Sequence, residues 1–263
     1  MLYYFILIII LLVVLFYSFS NYLIFQPPRF SRRYNNTDDL IKLKTVDGEI
    51  ISAMYLPNEN AKYVILASHG NAEDLGTAHV FFNQLHQHGY AVLAYDYHGY
   101  GSSTGKPSEK TAYMDVNAAY EYLTKTLLFH PDQIILLGHS LGCAMALDLA
   151  AREPVAGLIL SAPFMSAWRV GTTFPILPFD RFNNFKKITR IHCPVLIIHG
   201  NKDWIIPFWH GRKLYARANP PKYHLWLKNS GHNDIVPSAG ELYWETLEKF
   251  SAGLNLQLAL SFC

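Results

Sequence analysis

Hydrophobic positions follow three patterns along the chain. The first is one uninterrupted run over residues 1–25, MLYYFILIIILLVVLFYSFSNYLIF, without a single charged side chain. As an α-helix, 25 residues reach roughly 38 Å, enough to cross a ~30 Å hydrocarbon core with some tilt. Tyr3, Tyr4, Tyr17 and Tyr22 lie near its ends, where amphipathic rings favour a membrane interface. Pro27 and Pro28 stop it. The second pattern is a set of short apolar runs of strand length, at 63–67, 91–95, 133–137, 157–160, 195–198 and 223–227. Two more, at 41–45 and 50–56, flank an Asp47-Gly48 turn and predict a leading hairpin. The third pattern is amphipathic and helix-length, at 73–88, 108–127, 141–152, 207–218 and 240–250. Unbroken β-branched runs suit strands covered on both faces, and their alternation with helices predicts an α/β class. The expected architecture is a mostly parallel eight-stranded sheet with helices on both faces. Residues 161–190 interrupt the alternation with an aromatic-rich stretch, read as a short cap-like insertion. The expected organisation is a transmembrane anchor (1–25), a linker (26–39), one α/β domain (40–252) and a C-terminal tail (253–263).

Composition narrows the function classes. Hydrophobic residues make up 51% of the 263 positions and charged residues only 16%, which excludes an extended disordered chain. A net charge of +2 with no dense Lys/Arg run leaves no footprint for nucleic acid. A cleaved signal peptide is disfavoured, because the apolar run is too long and lacks both a basic flank before it and a small-residue cleavage site. Arg29, Arg32 and Arg33 follow the run and no basic residue precedes it, so the positive-inside bias predicts a single-pass membrane protein with a cytoplasmic domain. Cys143, Cys193 and Cys263 are odd in number and widely spaced, which argues against a disulfide scaffold or a cysteine zinc site and fits a reducing compartment.

Candidate chemistry begins at Gly138-His139-Ser140-Leu141-Gly142, between the strand-like run 133–137 and the helix-like run 141–152. A serine on a sharp strand-to-helix turn presents its hydroxyl above the sheet, and flanking glycines clear the space such a turn needs. The next helix aims its positive end at the same spot. A serine nucleophile needs a base and an acid to orient that base. His232, in Gly231-His232-Asn233-Asp234, follows the last predicted strand. His139 adjoins the serine and cannot fold back onto it. Asp203, in His199-Gly200-Asn201-Lys202-Asp203, follows the strand-like run 195–198. The chain order Ser, Asp, His suits a nucleophile elbow on an α/β sheet. Asp234, Asp180 and Asp96 are the competing acids, Asp234 foremost. The backbone N–H groups of Asn71 and Leu141 are the expected oxyanion donors; the side chains of His69 and Asn71 are also expected to brace that loop. The sequence 99–107 has neither the glycine pattern of a dinucleotide site nor that of a phosphate loop, and no HExxH occurs. No metal and no cofactor are expected.

Together these segments resemble the α/β-hydrolase superfamily, over residues 40 to 250. The chain is similar to its membrane-attached α/β-hydrolase-domain depalmitoylases and their fungal and bacterial relatives. The resemblance is carried by HGNAEDLG (69–76), YDYHGYGSSTGKPSE (95–109), GHSLG (138–142), SAPFMSAWRV (161–170), PVLIIHGNKDWIIPFWHG (194–211) and GHNDI (231–235). It implies Ser140 as nucleophile, His232 as base and Asp203 as acid, acting on esters or thioesters, with S-acylated proteins at the membrane among the substrates. Those depalmitoylases carry a lipidated cysteine cluster at the N-terminus, where this chain has a cysteine-free hydrophobic helix. Many relatives read GQS at the elbow, where this chain reads GHS.

Two further readings stand beside a protein thioesterase: a lipid-directed esterase of the lysophospholipase or monoacylglycerol lipase type, and a non-catalytic membrane scaffold that kept the fold. The segment 164–185 holds Phe164, Met165, Trp168, Val170, Phe174, Ile176, Leu177, Phe179 and Phe182, and Trp204 follows Asp203. Phe164, Met165, Trp168 and Trp204 are candidate substrate contacts, and equally candidates for the buried underside of a cap.

Overall fold

A computed structural model describes residues 2–28, 40–172 and 180–261. The arginines at 29, 32 and 33, the aromatic and aliphatic residues at 174, 176, 177 and 179, and Cys263 lie outside the described residues.

Helix α1 (Leu2–Ile24) occupies the first hydrophobic run. Its side chains at 3–8, 10, 11 and 14 are exposed, whereas Ser20 and Phe25 are buried against the rest of the protein. Among the described residues no helix is long and apolar enough to cross a membrane. The expected span therefore rests on the sequence alone.

The eight strands among the described residues are β1 (Ile41–Lys44), β2 (Ile50–Leu56), β3 (Val64–Ser68), β4 (Ala91–Tyr95), β5 (Ile134–His139), β6 (Gly157–Ser161), β7 (Val195–Gly200) and β8 (Lys222–Leu227). They form one sheet in the order β1-β2-β4-β3-β5-β6-β7-β8. β2 runs antiparallel to β1 and β4, and every pairing from β4 to β8 is parallel. Gly48, at φ +92°, turns the β1–β2 hairpin. The other connections carry α2 (Leu75–Gln87), α3 (Glu109–Glu121), α4 (Gly142–Ala150), α5 (Ala167–Gly171), α6 (Asn184–Lys187) and α7 (Trp209–Arg217), with α8 (Ile235–Ala239) and α9 (Glu241–Ser261) after β8. A π-helical turn, Tyr122–Thr126, extends α3. α9 is longer than the predicted 240–250 and continues through positions read as a tail. The insertion holds α5, α6 and a 3₁₀ turn, Ile188–Arg190.

β3 shows why the central strands carry no polar alternation. Val64 and Leu66 enter one apolar core with α3, α4 and the insertion, while Ile65 and Ala67 enter the other with α2, α8 and α9. Both pleat faces are buried, so both must be apolar. The chain leaves β3 toward β4 on one side and returns to β5 on the other. The carboxyl ends of β3 and β5 thus diverge into a crevice, the usual site of ligand binding in such sheets. Leu66, fully buried in β3, is a direct probe of this layering. Leu66→Ala is expected to cost about 3 kcal/mol of unfolding free energy, measured by chemical denaturation.

Candidate active site

The crevice is built from four strand ends. β5 and β3 are in register with Gly138 opposite Ser68, and β5 and β6 with His139 opposite Ser161. The next residue, Ser140, has φ +52°, left-handed backbone that a non-glycine residue adopts at a cost of roughly 1–2 kcal/mol. Its N–H donates to the Ser161 carbonyl at 2.9 Å, and its carbonyl accepts from the Cys143 N–H at 3.1 Å. The flanking glycines are sterically required. A Cβ on Gly142 would lie 2.0 Å from the Ser68 carbonyl oxygen, and one on Gly138 would lie 2.5 Å from the Gly142 carbonyl oxygen. Ser140 therefore projects above the sheet at the start of α4.

His232 and Asp203 arrive from the loops after β8 and β7. His232 Nε2 lies 2.8 Å from Ser140 Oγ, and His232 Nδ1 lies 2.7 Å from Asp203 Oδ2. A carboxylate only accepts, so Nδ1 carries the proton and Nε2 is left to accept from the serine hydroxyl. All three sequence-selected side chains are thus brought into one hydrogen-bonded chain. Asp203 also accepts from the Ile205 and Ile206 amides at 3.0 and 2.7 Å. Burial alone would raise its pKa, but hydrogen bonds from His199, His232 and the Ile206 amide outweigh burial and hold the carboxyl well below the usual range. It stays ionised.

The rival acids have other work. Asp234 accepts from the Gly231 N–H at 2.6 Å and from the Ser238 hydroxyl at 3.0 Å, bracing the loop that carries His232. Asp96 accepts from the Leu75 N–H beneath His69, and Asp180 accepts from the Arg181 N–H. His139 Nδ1 lies 3.4 Å from Ser161 Oγ and its ring 5.4 Å from that of His232, and burial lowers its pKa so that the ring is neutral.

His199 had no assigned role. It is fully buried, donates from Nε2 to the Ile206 carbonyl at 2.9 Å and lies 3.3 Å from Asp203 Oδ2. It fixes both the acid and the loop that follows. Its position four residues before Asp203 was the available signal.

Asn71 and Leu141 flank Ser140 from β3 and α4. Among the described residues neither backbone N–H has an intramolecular acceptor. Of the expected side-chain bracing, His69 supplies its part, with Nδ1 donating to the Gly70 carbonyl at 2.8 Å; the Tyr97 hydroxyl donates to the His69 carbonyl, and the Gly70 N–H donates to Glu73 Oε2. The Asn71 side chain instead reaches helix α1, donating from Nδ2 to the Ile24 carbonyl at 2.6 Å.

The candidate substrate contacts separate. Phe164 and Met165 are buried in the core with α4 and α6, Trp168 is half-buried, and Trp204 is 83% exposed. A cavity of about 330 Å³ lies elsewhere, between α2 and α8, and none of the four lines it. Its wall includes Ala78, Phe81, Phe82, Ile235, Val236 and Tyr243, and it reaches His139 and His232. Phe164 and Met165 are instead the floor of the insertion: the Met165 N–H donates to His210 Nδ1 at 3.1 Å.

Comparison with known proteins follows this geometry. Residues 59–183 match the family model described as serine aminopeptidase, S33. The chain is 39% identical over 234 residues to α/β-hydrolase domain-containing protein 17B of Xenopus tropicalis, covering 88% of this chain and 80% of that protein. The human protein 17B is 38% identical over the same shares of the two chains. The chain belongs to this family of α/β-hydrolases. It is a hydrolase. Among solved structures, a Pyrococcus furiosus esterase superposes with a TM-score of 0.72 at 18% identity, covering 86% of this chain and 96% of that one. Mouse α/β-hydrolase domain-containing protein 10 gives 0.63 at 20% identity, covering 82% and 99%. At those identities the likeness is one of fold.

Two outcomes test the local physics. Because glycine removes the penalty of a positive φ, Ser140→Gly is expected to be about 1 kcal/mol more stable than Ser140→Ala, compared by thermal or urea unfolding. His210 is fully buried, and burial first, then the neighbouring His199, pushes its pKa down to about 4. The unfolded histidine, near 6.5, takes a proton before the folded one does, so this contribution is complete above pH 6.5 and is lost as pH falls toward 4. His210→Asn is expected to flatten the decline in Tm between pH 6.5 and 4.5 relative to wild type.

Proposed function

We propose that the protein is a membrane-anchored serine hydrolase that cleaves carboxylic ester or thioester bonds, with S-acylated proteins as its substrate class. The observation that carries this reading is the hydrogen-bonded chain Ser140–His232–Asp203, with distances of 2.8 and 2.7 Å. Ser140 Oγ attacks the acyl carbonyl carbon while its proton passes to His232 Nε2. The negative charge that forms on the carbonyl oxygen is received by the Asn71 and Leu141 N–H groups at the positive end of α4. Asp203 holds the imidazolium through Nδ1–H and does not take the proton. Collapse breaks the bond to the alcohol or thiol, which leaves with the proton from His232. Water then attacks the acyl-enzyme, with His232 again as base, and a carboxylic acid is released. The chemistry is complete without a cofactor.

The apolar cavity between α2 and α8 supports an acyl chain as the group held on this face of the site. Support for the anchor comes from α1, 23 residues and roughly 34 Å of helix in which Tyr3, Tyr4 and Tyr22 and the aliphatic side chains at 6–8, 10, 11, 14 and 23 are exposed. Exposed apolar surface of that extent is stabilised in lipid. A tethered enzyme meets membrane-bound acyl groups at raised effective concentration.

Labelling with a fluorophosphonate probe is expected for the wild type and absent for Ser140→Ala; a folded wild type that stays unlabelled overturns the hydrolytic mechanism. Ala78→Phe, which fills the cavity, is expected to shift preference from long to short acyl groups across an ester and thioester series, with acetyl ester turnover retained. Faster turnover of acylglycerols than of S-acyl peptides would assign the enzyme to lipid-directed esterases instead.

A further inference from the structure

The carboxyl end of α1 meets the site at Asn71. A helix terminus leaves carbonyls without partners, and Pro27 and Pro28 prevent any continuation that would satisfy them. Asn71 supplies the donor: its Nδ2 lies 2.6 Å from the Ile24 carbonyl oxygen. Its Oδ1 accepts twice, from the Gln26 N–H at 3.0 Å and from the Tyr100 hydroxyl at 2.7 Å. The Gln26 N–H is shared with the Tyr100 oxygen at 3.1 Å. Two of the three groups bonded to the Asn71 amide thus belong to the residues that end α1.

Packing closes the same joint. The Phe25 side chain is buried and meets Tyr100 and Phe182 edge-on, with ring centroids 6.5 and 5.8 Å apart. Ser20 is fully buried and accepts from Arg181 Nη2 at 3.1 Å. Arg181 and Phe182 come from the insertion, and the Phe182 N–H is held by Glu109 at 2.8 Å. Residues 20–26 are therefore wedged between the loop after β3, the loop after β4 and the insertion.

We infer that the end of α1 is a positioning element of the active site: seated, it fixes the Asn71 side chain and with it the backbone N–H that receives the oxyanion. This rests on the hydrolase reading above and assigns Asn71 a second role, through its side chain. The peptide that carries the Asn71 N–H is held at its other end, where the Gly70 carbonyl accepts from His69 Nδ1 at 2.8 Å and from the Glu73 N–H at 3.3 Å, and the Gly70 N–H is held by Glu73; the side-chain clasp sets the Asn71 end. Donors aimed at a developing charge act only when fixed beforehand, so a slackened Asn71 weakens the transition state more than substrate binding.

The test uses the full chain in detergent micelles, with two variants that open the joint from opposite sides. Asn71→Ala removes the side-chain clasp and keeps the backbone N–H. Phe25→Ala loosens α1 without touching the loop. Each is expected to lower kcat about tenfold with KM within twofold of wild type. Each is also expected to weaken a trifluoromethyl ketone inhibitor, which forms a tetrahedral adduct with the serine, by the same factor as kcat. The double variant is expected to lose no more than the larger single loss, because both break one joint. If both variants keep wild-type kcat and inhibitor affinity with unchanged Tm, or if their losses multiply, the inference fails. Should Phe25→Ala not fold, Gln26→Pro, which deletes the shared N–H, takes its place with the same expectations. A folded wild type unlabelled at Ser140 overturns the hydrolase reading itself, a result distinct from labelled variants with normal turnover.

Discussion

The site depends on one close approach, between the start of α4 and the carbonyl end of β3. There is no room for a side chain at Gly142 beside the Ser68 carbonyl, or at Gly138 beside the backbone of 142–143. With both positions bare, the chain reverses from strand to helix in a single residue, and Ser140 absorbs the turn at φ +52°. The same approach brings the first N–H groups of α4 near the loop at 69–71. The placing of Ser140, of the helix terminus and of the loop 69–71 follows from one steric constraint.

Around that turn, polar groups are satisfied in layers. His232 receives its tautomer from Asp203, and Asp203 keeps its charge through His199 and two backbone amides. Asp234 fixes the loop of His232, and Glu73 fixes the loop at 70–71. Each group around Ser140 is held by another one step further out, and the Ser140–His232 and His232–Asp203 distances stay near 2.8 Å.

The sheet was legible because both its faces are buried. Strands β3 to β7 are apolar through their middles and carry Ser68, His139, Ser161 and His199 only toward their carboxyl ends, and such runs stand out against amphipathic helices. Ser140 was legible because the glycine requirement is local and leaves a five-residue signature. Asp203 and His232 were legible because each follows a strand at its carboxyl end. Phe164 and Met165 were not, since an apolar side chain reads alike whether it lines a cavity or fills a core. The structure puts them in the core, and leaves the cavity to α2 and α8, whose apolar residues had been read only as helix faces. Asn71 shows a different limit. Its position in the loop marked a backbone donor, but nothing in HGNAEDLG points to a partner 47 residues earlier at Ile24.

By itself, then, the sequence determined the α/β class, the strand-turn-helix at Ser140 and the candidate acid and base. All of these follow from periodicity or from steric rules acting within a few residues. Tertiary structure alone decided which face of the crevice holds open volume, that His199 steadies Asp203, and that the end of α1 is clasped by Asn71. Those depend on which surfaces meet when distant segments pack, and short-range pattern carries no record of that.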